Sequence, residues 1–235
     1  IPEYYKFKTA SKGYYFIVPT KTTKNRSFNY REKYRVNNGL SGGTSTVNEA
    51  SRIDYRVEYT KYAATNIPAL KDDEPFVSNI KSLRGGMKYE LSSINFVGQT
   101  TKYYATSWED VAKETYESSS FGSELNKSSY YKNDLETILA TAKTDSEKIV
   151  AIFQFVKNKV KWNDYYGKYT DKGVRKAFKE NVGNVADINL MLTAMLRSAG
   201  LNANPVLVST RANGVPLFPT LDGFNYVISM IEFTD

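Results

Sequence analysis

VGNVADINLMLTAMLRSAGLNANPVLVST, residues 182–210, holds four signals in a row. A glycine turn at Gly183 comes first. A helical repeat follows, with Ile188, Met191, Leu192, Met195 and Leu196 on one stripe that must face a core. Gly200 sits where a helix ends in a left-handed residue. The apolar run PVLVST then reads as a buried strand. Val185 falls at the start of the helix, where unpaired N–H groups and the helix dipole favour negative charge. A cysteine there would have a lowered pKa and be a good nucleophile. Valine has no such chemistry.

Working outward, the chain after residue 105 alternates helix and loop. Thr106 and Glu109 have capping-box spacing before WEDVAKETYE. SSSFGSELNKSS reads as a polar connection, and Asn133 with Glu136 can open a helix through Leu139. Thr144 and Glu147 open a stronger one, with Ile149, Ile152, Phe153, Val156 and Val160 on its apolar stripe. The aromatic loop WNDYYGKYTDKG and a short helix around Val174–Phe178 lead into the quoted segment. A proline-containing loop, NGVPLFPTLDG, and a strand, FNYVISMIEF, close the chain. Ending just past an apolar strand, the sequence reads as part of something longer.

The N-terminal part has a different period. Tyr55, Val57 and Tyr59 alternate with polar neighbours, as do Met87, Tyr89 and Leu91. GYYFIVP and SFNYREKYRV look similar, so this part reads as sheets with one wet face. NNGLSGGTS is a turn cluster. NIPALKDDEPF, with Pro68 and Pro75 around acids, reads as an extended crossing. The expected fold class is α+β, with an N-terminal antiparallel β domain at 1–104 and an α+β domain at 105–235.

Composition narrows the chemistry. The chain of 235 residues has no cysteine and no histidine. That excludes thiol catalysis, disulfides and thiolate metal sites, and removes the commonest general base. No cofactor or metal is expected, since KDDE and NDLE lack the order of a calcium loop and SGGTS lacks that of a phosphate loop. Net charge is +7, but Lys and Arg are scattered among acids. With no nucleic-acid motif present, nucleic acid is not an expected partner. No apolar run reaches bilayer length. Any signal peptide is expected to lie outside this fragment.

The sequence resembles the transglutaminase-like superfamily, which has the papain-like cysteine fold. The resemblance rests on GNVAD, LRSAG, NPVLVST and FNYV, which stand where that family has G-x-C-x-D, L-R-x-x-G, a strand, and F-N-H-V. It covers roughly residues 144–232. The first part is similar to a domain of unknown function that precedes such modules in bacterial cell-envelope proteins. The resemblance implies that Val185 stands at the nucleophile position and Tyr226 at the histidine position, with the third acid beyond Asp235. Both assessable positions depart from the pattern. A phenol keeps its proton at neutral pH and is a poor base, and loss of one triad member already costs orders of magnitude in rate. An inactive relative in the periplasm or at the cell surface is therefore expected.

Its former active-site cleft is expected to bind a peptide, a glycan or a protein partner of the envelope. Candidate binding residues are Trp162, Tyr165, Tyr166, Tyr169, Asn184, Asp187, Asn225 and Tyr226. Tyr and Trp offer rigid amphipathic contact area. Trp162 is expected to cover the edge of the helix packing, and at least one loop tyrosine to stay exposed. Asp187 reads as a helix cap more than as a catalytic carboxylate. Asn225 reads either as a polar cleft wall or as a strand residue facing another element. Two other readings stand beside this one: a rigid structural spacer with a filled cleft, and a hydrolase with non-cysteine chemistry.

Overall fold

The computed structural model describes residues 1–37, 43–71, 75–77, 79–104 and 107–233. The chain divides into two compact units, Ile1–Tyr104 and Ala105–Asp235. The fold class is α+β.

In the first unit, β1 (Tyr5–Lys12) pairs antiparallel with β4 (Gly86–Ile94), which pairs with β5 (Lys102–Tyr103). A second sheet is one long hairpin, β2 (Thr20–Asn37) against β3 (Thr44–Lys61), in register from Thr20↔Lys61 to Asn37↔Thr44. Period-two alternation sends Phe28 and Tyr55 to one face, where their rings meet at 5.9 Å. Tyr4 and Phe96 join them, with Tyr4 5.6 Å from Tyr55 and Phe96 6.1 Å from Phe28. A short helix, α1 (Ile80–Leu83), precedes β4.

One expectation for this unit changes. GYYFIVP is not a strand. Gly13 has φ +81°, and a Cβ there would lie 2.5 Å from the Arg84 backbone, so the chain turns sharply there. Pro19 cannot donate to a ladder, and Tyr14, Phe16 and Val18 stay exposed. The turn cluster at 38–42 and the acidic patch at 72–74 lie outside the described residues.

The second unit is built around one helix. α2 (Trp108–Glu117), α3 (Gly122–Leu125), α4 (Lys132–Thr141), α5 (Asp145–Lys159) and α6 (Val174–Glu180) precede α7 (Val185–Ser198). β6 (Lys161–Trp162) pairs in parallel with β7 (Val182–Gly183), and β8 (Ala203–Val208) pairs antiparallel with β9 (Tyr226–Ile231). Leu190, Met191, Met195 and Leu196 of α7 are fully buried in a cluster with Ile152, Val156 and Val227. Each such side chain contributes roughly 1.5–3 kcal/mol by leaving water. Ile188 and Leu192 pack at the margin. α7 ends in a Schellman motif: Gly200 has φ +86°, its N–H donates to the Arg197 carbonyl at 3.0 Å, and the Leu201 N–H donates to the Leu196 carbonyl at 3.1 Å.

Helix starts differ in part from the sequence pattern. Thr106 lies outside the described residues, and Ser107 with Asp110 makes the capping box of α2. Thr144 and Glu147 make the box of α5. α4 starts at Lys132, one residue before Asn133, and its N-cap residue Tyr131 makes no side-chain cap. Tyr131 is buried, and its hydroxyl donates to the Ala194 carbonyl at 3.1 Å and lies 2.8 Å from Ser198 Oγ. The supposed polar connection contains α3, because Phe121 and Leu125 are buried and Gly122 lets the turn approach the Tyr116 carbonyl. On α5, Phe153 is 48% exposed while Ile152 and Val156 are buried, so Phe153 leaves the core stripe.

Candidate functional site

The N-terminus of α7 is held by its neighbours. Gly183 precedes it, and a Cβ there would lie 2.7 Å from Asp187 Cβ and 2.9 Å from Ala177 Cβ, so packing demands glycine. Asn184, fully buried, is the N-cap. Its Oδ1 accepts from the Asp187 N–H at 2.8 Å, and its own N–H donates to Asp187 Oδ2 at 3.0 Å. Its Nδ2 donates to the Tyr169 carbonyl at 2.9 Å, tying the aromatic loop to the helix. Asp187 is thus the reciprocal half of a capping box.

Asp187 is also fully buried. Desolvation raises its pKa above the ordinary aspartate value, partly opposed by the backbone N–H groups of Asn184, Lys172 and Gly173. Its Oδ1 makes no well-formed hydrogen bond.

Val185 is 4% exposed and belongs to the main apolar cluster, against which Tyr226 also packs. The Val185 N–H donates to the Tyr165 carbonyl at 3.3 Å, and Trp162 Nε1 donates to the same oxygen at 3.1 Å. The Val185 carbonyl accepts from Asn189 Nδ2 at 2.9 Å. The loop is braced further by Tyr165 N–H to Asn163 Oδ1 at 3.1 Å and Asn163 N–H to the Gly183 carbonyl at 3.0 Å.

On the outside of this loop three rings run in sequence. Trp162 meets Tyr166 edge-on at 5.0 Å, and Tyr166 meets Tyr226 tilted at 5.9 Å. Trp162 is 41% exposed and Tyr166 54% exposed, so the chain of rings is accessible. Trp162 therefore covers the helix edge less fully than its place in the sequence indicated.

The other candidates fall elsewhere. Tyr165 serves through its carbonyl, and its ring is exposed. Tyr169 turns inward, onto the main cluster and Phe121 at 6.4 Å. Asn225 is consumed locally, its Oδ1 accepting from the Thr210 N–H and its Nδ2 donating to Thr210 Oγ1, both at 2.9 Å.

Two buried charges escaped the sequence reading. Glu124 is 5% exposed, accepts from the Val174 N–H at 3.0 Å at the start of α6, and pairs with Lys127 at 2.5 Å. Lys168, 7% exposed, donates through Nζ to the Leu221 carbonyl and lies 5.2 Å from the Tyr169 ring centre. Burial lowers its pKa, opposed by the Asp222 charge. Glu124 has a local partner in Lys127, but its capping contact with Val174 and the Lys168 contact with Leu221 span 50 and 53 residues. Among the described residues no group of three or more acidic side chains converges to hold a metal. The first unit has a hollow of about 490 Å³, whose lining includes the ion pairs Lys21–Glu58 at 3.1 Å and Arg56–Glu3 at 3.7 Å.

This arrangement of helix, two-stranded sheet and aromatic loop coincides with a family match. The model of the transglutaminase-like superfamily matches residues 134–227. These residues form a transglutaminase-like domain. The match takes in α4 through the start of β9 and includes both Val185 and Tyr226. Among solved structures, a crystal structure of a "putative protease" from Parabacteroides distasonis is similar at 12% identity, with a TM-score of 0.47. The similarity covers 98% of this chain and 42% of that one, so the chain spans less than half of that protein's length. No curated protein matches the chain.

Proposed function

We propose that the transglutaminase-like domain has lost catalysis and works as a binding module of the bacterial cell envelope, taking a peptide, a glycan or a protein partner on the surface above α7. The observation that carries the reading is the accessible run of Trp162, Tyr166 and Tyr226 rings beside Val185. Support for lost catalysis is chemical. A chain without cysteine or histidine has neither a thiolate nor an imidazole to form the family's attacking pair. The N–H of Val185 is already given to the Tyr165 carbonyl, so that donor is not open to a developing oxyanion. Stacked aromatic faces suit sugar rings and apolar peptide side chains. The envelope location rests on the resemblance of the first domain.

The test has two arms. The purified chain is assayed for amide hydrolysis and for protein crosslinking, and neither is expected. Turnover that disappears when one residue near α7 is substituted would establish an enzyme instead. In parallel, peptide and glycan arrays are probed with the wild type and with Trp162→Ala and Tyr166→Ala. The expected hits weaken at least about tenfold in both variants, as loss of an aromatic anchor does. Hits that both variants keep would place binding elsewhere. An array without hits would favour the spacer role.

A further inference from the structure

A second concavity lies in the C-terminal unit, between α2 and β8. It encloses about 530 Å³, within the usual span of small-ligand sites, roughly 300–1,000 Å³. Val111 and Phe121, both buried, line its floor. Trp108 and Phe224 line one end, their rings edge to face at 5.7 Å. β8 forms the other wall. Among the described residues β8 pairs with β9 alone, and it carries Pro205, a residue that sheets tolerate at an open edge.

Polar groups in this trough are few, and two lack a matching partner. The Arg197 guanidinium is fixed by Nε to the Ala203 carbonyl at 2.6 Å, Nη1 to Tyr116 Oη at 3.1 Å and Nη2 to Asn204 Oδ1 at 2.8 Å. All three acceptors are neutral. Among the described residues no carboxylate forms an ion pair with Arg197. Three of its five N–H donors are used, so the fork is oriented and its charge is unmatched. Thr115 lines the same trough, with its hydroxyl buried and without a hydrogen-bond partner. In a helix such a hydroxyl usually bonds back to the preceding turn or to solvent.

We propose that this groove binds a small amphipathic carboxylate. The apolar body lies along Val111, Phe121 and the Trp108–Phe224 pair, and the carboxylate meets Arg197. Charge complementarity selects the occupant. A pre-oriented guanidinium without a counterion recognises a planar carboxylate better than a neutral head. The apolar walls exclude a strongly hydrated anion such as phosphate. Two sources carry this chemistry, a medium-chain fatty acid and a free hydrophobic peptide C-terminus. The site is separate from the Trp162–Tyr166–Tyr226 surface and stands whether or not that surface binds anything.

The test is calorimetric titration of the whole chain with four probes: dodecanoate, dodecanol, N-acetyl-leucyl-phenylalanine and its amide. At least one carboxylate is expected to bind about tenfold or more tighter than its neutral partner. Binding by dodecanoate alone assigns an acyl chain, and binding by the dipeptide alone assigns a peptide terminus. Ala112→Trp, at an exposed α2 position lining the groove, is expected to abolish binding with an unchanged melting temperature. Arg197→Gln is expected to bring the carboxylate down to the affinity of its neutral partner. If that variant does not fold, the neutral probes and Ala112→Trp still decide. Equal affinity of carboxylate and neutral probes, no binding at millimolar concentration, or undiminished binding in Ala112→Trp overturns the proposal.

Discussion

Val185→Cys puts a thiol into the first turn of α7 and asks whether that helix end can activate a nucleophile. Two effects oppose each other. A helix N-terminus stabilises a negative charge by about 0.3–1 kcal/mol, and by about 2 kcal/mol at most. At 1.36 kcal/mol per unit, that lowers a thiol pKa by roughly 0.2–1.5 units. Burial acts the other way. Val185 is 4% exposed within the apolar cluster, and full desolvation shifts a titrating group by up to about 3–5 units. The local dipoles add little help, because the Val185 N–H already serves the Tyr165 carbonyl and the Asp187 carboxyl group stands two residues on. Burial wins on these magnitudes. The introduced thiol is expected to titrate above the ordinary value of about 8.5. The stability cost is that of a small truncation, about 0.5–1.5 kcal/mol, readable from a urea midpoint. Thiolate ultraviolet absorbance against pH, and the rate of reaction with an aromatic disulfide reagent, measure the outcome. The native thiol is expected to react at least about tenfold more slowly than the same thiol in the unfolded chain. A native thiol that ionises below neutrality, or outpaces the unfolded one, refutes the reasoning.

Three further perturbations test the scaffold. Gly183→Ala forces a methyl group against Asp187 Cβ and Ala177 Cβ and is expected to cost about 1–3 kcal/mol; an unchanged urea midpoint would show that the turn yields freely. Glu124→Ala removes the acceptor for the Val174 N–H and the partner of Lys127. The expected loss is about 1–3 kcal/mol, with hydrogen exchange rising first in α6, and exchange confined to other elements would contradict the capping role. Asp187→Asn addresses pH. Because burial raises the Asp187 pKa, the native state keeps a proton that the unfolded chain has released. Its contribution to stability is therefore greatest in acid and falls as pH rises from the unfolded aspartate pKa through the raised native one. The depressed carboxylates Glu147 and Glu180 act with the opposite sign, so the wild-type-minus-variant difference isolates Asp187. A difference that does not vary with pH across that interval would sink the assignment.

Much of the architecture is written locally. The stripe on α7, its Gly200 stop, the Thr144–Glu147 box and the alternation of β2, β3 and β4 follow from side-chain period and backbone preference within a few residues. The absence of any thiol or imidazole is plainer still, since it needs only the composition. Tertiary structure decided what each exposed or buried polar group does. Phe153 has the right spacing for the core and still faces out. Glu124 and Lys168 look like surface charges, yet they are buried by partners some fifty residues distant. Tyr169 and Asn225 spend themselves inward or on a neighbouring loop, while Trp162 and Tyr166 stay exposed beside a half-buried Tyr226. The groove beside Arg197 needs α2, α7 and β8 at once. Periodicity reports which face of an element is apolar; it carries no record of which distant backbone group will satisfy a given side chain, because that pairing exists only after the elements pack.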